Sequence, residues 1–240
     1  MYGAITFLGA ARNVTGSKYL LESGDSHILV DCGLHQERSY RSRDWEAFAF
    51  PPDRIDAVVL THAHLDHCAY LPKLVADGFS GPVFCTPASA GIAKIVMRDA
   101  AYIMAEDARH KQRRHDKEKR KSPRVIRPLY TEDDVAKSVE LLTPVSNGTD
   151  FSPAKGIPGC YHEAGHSLGS AMVRFKLDTG ASVLFSGDIG RWDKPILNDP
   201  DVFEAADFVV MESTYGDRRH EDPGDLLDLL ANAVTTAHSR

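Results

Sequence analysis

Short apolar blocks separated by turn residues occupy the first ninety positions, and longer helical spacings follow. Residues 4–8 form an apolar run, and residues 9–16 read as a loop. Residues 18–22 and 27–31 flank Ser23-Gly24-Asp25, the pattern of a hairpin. The β-branched run 55–60 predicts a buried strand. Residues 67–76 predict a helix with Leu71, Leu74 and Val75 on one face, and residues 82–85 another short strand. From 87 to about 121 the spacing of Ile92, Ile95, Val96, Ala100 and Ile103 predicts a long helix. Thr131, followed by Glu132, Asp133 and Asp134, starts a helix predicted to run through Leu142. Residues 156–163, 171–177, 182–185 and 208–211 read as strands, with Asp178-Thr179-Gly180 as a turn. Leu226, Leu227, Leu229, Leu230 and Val234 suggest a helix from Asp222 onward. Strands mixed with helices in this order predict an α/β chain.

Composition narrows this only a little. With 240 residues, 42% hydrophobic and 26% charged, the chain can bury the core of one large domain or one and a half. Its 18 Gly and 13 Pro are ordinary, which excludes fibrous and disordered classes. Cys32, Cys68, Cys85 and Cys160 lie far apart without paired spacing, which argues against a disulfide scaffold or a cysteine zinc site. They suit small buried residues in a reducing compartment. The start, MYGAITFLGAARNVTG, lacks the basic and apolar regions of a signal peptide, and no stretch has transmembrane length. No membrane partner is expected, and the expected location is cytoplasmic.

The net charge of −6 means that any nucleic-acid contact has to be local. The one dense basic run, residues 109–124, carries Arg113, Arg114 and Lys117. It reads either as a solvated helix face or as a phosphate contact, with nothing in its pattern that would read bases.

The chemistry concentrates where the 55–60 strand runs into Thr61-His62-Ala63-His64-Leu65-Asp66-His67. In extended backbone His62 and His64 point to one side and can reach one cation. Asp66 and His67 sit where the chain turns and can serve a second. Imidazole mixed with carboxylate suits a catalytic zinc site. Two later positions complete the set. His166 stands in HEAGHSLGSA, a glycine-flanked turn between strands. Asp188 ends a strand in LFSGDIGR, and its carboxylate can bridge two metals. Asp31, ending the strand in HILVDCG, is placed to orient a ligand histidine.

HAHLDH, His166, Asp188 and Asp31 together resemble the ordered motifs of the metallo-β-lactamase superfamily. The segment Met211-Glu212-Ser213-Thr214-Tyr215-Gly216-Asp217-Arg218 resembles the first signature of its β-CASP subfamily, nucleic-acid hydrolases that include the mRNA 3′-end-processing endonuclease and bacterial and archaeal relatives. VTGSKYLLE and PLYTEDDV extend the likeness over nearly the whole chain. The resemblance implies a four-layer αββα sandwich, with residues 1–215 as the metallo-β-lactamase part and 216–240 as the start of the β-CASP cap. It also implies closing strands, a cap and two further histidines that these residues do not supply, since only His220 and His238 follow Glu212. An incomplete sandwich, a poor nuclease on its own and self-association through an unfinished sheet edge are therefore expected.

The implied function is zinc-dependent phosphodiester hydrolysis of RNA, with a hydroxide held between two Zn²⁺ as nucleophile. His62, His64 and His166 would hold one zinc, Asp66 and His67 the other, and Asp188 both. Asp66, Asp188 and Glu212 carry the catalytic roles, Glu212 by orienting a cap histidine. A DNA-directed nuclease, a small-molecule hydrolase of the same fold and a non-catalytic subunit of an RNA-processing complex remain as alternatives. Endonuclease or exonuclease mode is left open.

Overall fold

The structure, a computed structural model, describes residues 3–119, 125–219 and 226–239. The first half builds one sheet and its helices. Strands β1 (Ala4–Phe7), β2 (Tyr19–Ser23), β3 (Ser26–Val30) and β4 (Ala57–Val59) are followed by the single turn α1 (Leu65–Cys68) and by α2 (Leu71–Ala76). Then come β5 (Val83–Cys85), α3 (Pro87–Lys117), α4 (Glu132–Glu140) and β6 (Leu142–Pro144). The sheet order is β1-β2-β3-β4-β5-β6, antiparallel through β3 and parallel from β3 to β6. A parallel strand is covered on both faces, which is why β4 is a continuous Ala-Val-Val run with every residue buried.

The second half builds the facing sheet from β7 (Asp150–Ala154), β8 (Ile157–Glu163), β9 (Ala171–Lys176), β10 (Ser182–Phe185) and β11 (Phe208–Val210). Its order is β11-β10-β9-β8-β7, antiparallel except for the parallel pair β10 and β11. Leu21, Ile28, Val30 and Val59 meet Tyr161, Val173, Phe175, Val183 and Phe185 in the core between the sheets. A second core lies on the helix side of the first sheet. There Leu29, Val58 and Leu60 pack with Leu71, Leu74, Met97 and Val135. Each such side chain contributes about 1.5–3 kcal/mol when fully buried.

Three layers of the expected αββα sandwich are thus built. On the outer face of the second sheet Met172 and Leu184 pack with Phe203 and Ala206, and the last helix, α5 (Leu226–His238), has no buried residue. Among the described residues no fourth helical layer is formed. The start of α5 at Asp222, the end of the basic run at Arg124, and His220 lie outside the described residues.

Several elements differ from the sequence expectation. The helix expected over 67–76 is two pieces, because Pro72 has no N–H with which to continue the ladder from α1. The inner face of the long helix is only partly the expected one, since Ile92 and Val96 do pack against the core. Ala90, Ala93, Met97, Ala100 and Ala101 are buried, whereas Ile95 and Ile103 are exposed. α4 ends at Glu140, and Leu142 already belongs to β6. β6 and β7 were not expected as strands. Each contains a proline, and each lies at the edge of its sheet, where a missing donor costs no ladder bond. In β7 that proline, Pro153, falls inside the register shift between Phe151 and Ala154.

Candidate metal centre

The site forms where strands of both sheets end side by side. Asp31 follows β3, and Thr61 and His62 follow its parallel neighbour β4. Asp188 follows β10, Glu212 follows the parallel β11, and His166 lies in the turn between β8 and β9. Residues as far apart in sequence as 31 and 188 meet because the sheets pack face to face.

His62 Nε2 lies 3.0 Å from His64 Nδ1, which lies 3.2 Å from His166 Nε2. Asp188 Oδ2 is 3.6 Å from His62 Nε2 and 3.5 Å from His166 Nε2. These four donors all fall within 4.8 Å of one another. A neutral imidazole has one N–H, so three convergent ring nitrogens cannot all satisfy each other. A cation in their midst would accept every lone pair, and the donor set therefore fits a metal. On the other side of the same carboxylate, Asp188 Oδ1 lies 3.4 Å from His67 Nε2, and Asp66 Oδ2 lies 3.9 Å from that nitrogen. The structure thus brings together all six residues expected as ligands, in two groups that share Asp188.

The supporting contacts fix ring orientation. Asp31 Oδ2 accepts from His67 Nδ1 at 2.8 Å, and Asp31 Oδ1 accepts from the Thr61 backbone N–H at 2.7 Å. The Thr61 hydroxyl donates to Asp31 Oδ2 at 2.8 Å, which leaves its oxygen free to accept from His62 Nδ1 at 3.1 Å. Asp31 holds this position with φ at +57°, a left-handed conformation unusual for a side-chain-bearing residue and typical of over-determined sites. Gly187, with φ at +52°, sits so close to Thr61 that a Cβ there would lie 2.6 Å from its Oγ1. Only glycine lets the Asp188 turn approach that threonine.

Electrostatics divides the histidines. Burial holds His62 well below the ordinary imidazole value, and the positive charge of His67 adds to the effect. Burial lowers His166 as well, against the pull of Asp188. Both are therefore neutral and able to ligate at pH 7. Burial also works to lower His67, but the carboxylates of Asp31 and Asp188 on its two sides overcome it and raise it to about 10. A cation bound between Asp66 and Asp188 would displace its Nε2 proton. Burial works against the Asp188 charge, yet the hydrogen bond and charge of His67 keep it well below the usual carboxylate range. Asp66 is raised, by burial first.

Glu212 is half-buried, and its Oε1 accepts from the Ile189 backbone N–H at 2.8 Å, tying the turn after Asp188 to the end of β11. His166 is held by its own backbone, which donates to Ser170 Oγ at 3.0 Å. Gly169, in the same turn, accepts from Thr86 Oγ1 at 2.6 Å and Ser89 Oγ at 2.8 Å, at the start of α3. That contact locates the basic run. Arg113 lies 26 residues beyond Pro87, so it stands about 39 Å along the helix axis from the helix start. The structure does not bring Arg113, Arg114 and Lys117 to the centre. Sequence reasoning missed Thr61 and Ser17, whose hydroxyl lies 3.3 Å from His67 Nε2. The Ser17 contact spans 50 positions, which no local pattern signals; Thr61 could have been found as the residue preceding the first ligand.

Residues 12–79 match the model of the metallo-beta-lactamase superfamily. Over 231 residues the chain is 37% identical to a ribonuclease of Thermus thermophilus, covering 95% of this chain and 48% of that protein. It is 34% identical to a transcription termination factor of Methanosarcina mazei, covering 91% of this chain and 32% of that one. It is 31% identical to cleavage and polyadenylation specificity factor 73 of Drosophila melanogaster, covering 91% of this chain and 29% of that one. The chain thus spans half or less of the length of these relatives. By these matches the chain carries a metallo-β-lactamase domain, and the relatives it resembles over nine-tenths of its length are β-CASP family members.

Proposed function

We propose that this chain is the metal-binding core of a zinc-dependent phosphodiesterase that hydrolyses RNA, with residues 1–215 as its metallo-β-lactamase part and 216–240 as the start of the cap region. The observation that carries this reading is the position of Asp188, whose Oδ2 faces His62 and His166 while its Oδ1 faces His67. One carboxylate shared by two donor groups is the arrangement of a two-metal site. His62, His64 and His166 would hold one zinc, Asp66 and His67 the other, and Asp188 both. Zinc there supplies a water acidified to a pKa of about 7 and neutralises charge on the phosphate oxygens.

The residues of the chain do the rest. Asp31, directly and through Thr61, fixes His67 and His62 with their Nε2 lone pairs turned inward. Glu212 steadies the turn that carries Asp188. RNA as the substrate draws its support from the sequence relatives, one of which is named a ribonuclease and another a cleavage and polyadenylation factor.

The test is metal analysis together with cleavage of a labelled RNA and a DNA of matching sequence. The parent should bind two zinc ions per chain. His64→Ala and Asp188→Ala should lose metal, while Asp217→Ala, on the exposed surface, should not. Equal zinc in all four proteins would overturn the metal assignment. Cleavage of DNA alone would overturn the choice of RNA.

A further inference from the structure

Beside the metal centre lies a cleft of about 340 Å³, lined by Asp66, His67 and Asp188 on one side and by residues of the loop between β1 and β2 on the other. Four carboxylates, Asp31, Asp66, Asp188 and Glu212, face or border it. Among the described lining residues Arg12 is the one lysine or arginine. Its side chain is exposed.

The loop that carries Arg12 is tightly braced. Its ends are joined where the Leu8 N–H donates to the Lys18 carbonyl at 2.9 Å. Glu37 Oε1 accepts from the Val14 and Thr15 N–H groups at 2.9 and 3.1 Å, and its other oxygen accepts from the Thr15 hydroxyl. Thr15 Oγ1 in turn accepts from the Gln36 N–H at 2.8 Å. Gly16, with φ at +85°, lies against the buried ring of His35, where a Cβ would come within 2.7 Å. These bonds fix the backbone on both sides of Arg12, which itself has φ at +63°. A cation presented on a rigid strut loses little freedom when it binds a ligand.

The charge balance says what that ligand is. A polyanion entering this cleft meets carboxylates on its walls, and the metals neutralise only the phosphate they touch. A neighbouring phosphate on the same strand needs a further cation, and the basic run of α3 starts too far away to provide it. We propose that Arg12 is a substrate-contacting residue that binds a backbone phosphate next to the scissile one, on the Asp66–His67 side of the site. The guanidinium fork suits two phosphate oxygens at once. The inference rests on the phosphodiesterase reading above and adds to it which side of the metals the strand crosses.

The experiment measures binding of a labelled single-stranded RNA to the zinc-loaded chain over a range of salt, for the parent, Arg12→Gln and Arg12→Lys, with zinc content recorded for each. Arg12→Gln should weaken binding about tenfold, equivalent to 1.4 kcal/mol, and reduce the slope of log affinity against log salt by about 0.7. Its zinc content should equal the parent's. Arg12→Lys should recover the slope and only part of the affinity, because it restores the charge without the fork. An unchanged slope and affinity in Arg12→Gln, with the parent binding RNA in a salt-dependent way, overturns the Arg12 contact alone. A parent that holds zinc but binds no RNA overturns the RNA reading and this contact with it.

Discussion

Asp31 Oδ2 lies 2.8 Å from His67 Nδ1, and through the Thr61 hydroxyl the same oxygen governs His62 as well. One buried carboxylate therefore sets the tautomer of a histidine in each of the two donor groups. A carboxylate can only accept, so His67 must donate from Nδ1 and turn its Nε2 toward Asp66 and Asp188. The relay through Thr61 does the same for His62. Asp31 sits at the end of β3 and Thr61 at the end of the parallel β4, so sheet register itself sets this relationship.

Asp31→Asn should lower zinc affinity ten- to a hundredfold, the usual cost of disturbing a group that orients a metal ligand. Thr61→Val should lower it less, because it cuts the relay to His62 and leaves His67 in place. Zinc competition with a chromogenic chelator measures both. Affinities equal to the parent's in the two variants would separate Asp31 from the metal centre.

The basic run on α3 predicts a length-dependent effect. Arg109 is paired with Glu106 and Arg114 with Glu118 along the helix, and Arg113 stands about 39 Å from the helix start. Replacing Arg113, Arg114 and Lys117 with Gln should leave binding of a short oligonucleotide unchanged. If a long RNA reaches the run, the salt slope should fall by about 0.7 for each phosphate that the variant no longer neutralises. Titrations with RNAs of two lengths make the comparison. An unchanged slope with the long RNA marks the run as a solvated helix face.

Glu37 predicts a stability change with acid that does not depend on metal. Burial alone would push its carboxyl up, but the hydrogen bonds from Thr15, Val14 and its own backbone bring it from 4.5 to about 2. A carboxyl with a depressed folded value stabilises the fold fully above 4.5, and the contribution fades as pH falls toward 2. Parent and Glu37→Gln should therefore differ in melting temperature at pH 7, and the gap should close steadily below 4.5. A gap independent of pH would show that the Glu37 charge does not brace the loop.

Much of the candidate metal centre was legible in the sequence because the residues expected as ligands lie near strand ends. His62, His64, Asp66 and His67 follow one β-branched run, and Asp188 and His166 mark two further turns. The supporting contacts were less visible. Ser17 approaches His67 across 50 positions, and Arg12 shares a cleft with Asp188 through packing of the two halves. In α3 the large Ile95 and Ile103 suggested the inner face, yet close approach to the first sheet favours the small Ala90, Ala93, Ala100 and Ala101. β6 and β7 escaped because proline argues against a strand unless its edge position is known.

Behind the braced loop, Lys18, His35 and Asp44 form a buried charged cluster. Lys18 Nζ lies 3.7 Å from Asp44 Oδ1, and both side chains are nearly inaccessible, at 5% and 6%. The same oxygen lies 2.7 Å from His35 Nδ1, and Asp44 Oδ2 accepts from the His35 N–H at 3.0 Å. Lys18 also stands 4.7 Å from the centre of the Tyr70 ring. Burial lowers the Lys18 ammonium from 10.5, and the Asp44 carboxylate works against that fall. Removing one partner of such a pair leaves an uncompensated buried charge, which typically costs about 3–5 kcal/mol. Asp44→Ala should therefore lose about that much in urea unfolding. The double variant Lys18→Met with Asp44→Leu removes both charges and should be more stable than Asp44→Ala alone. Should the single variant lose less than about 1 kcal/mol, or the double variant be the worse of the two, the cluster does not hold the loop by charge pairing.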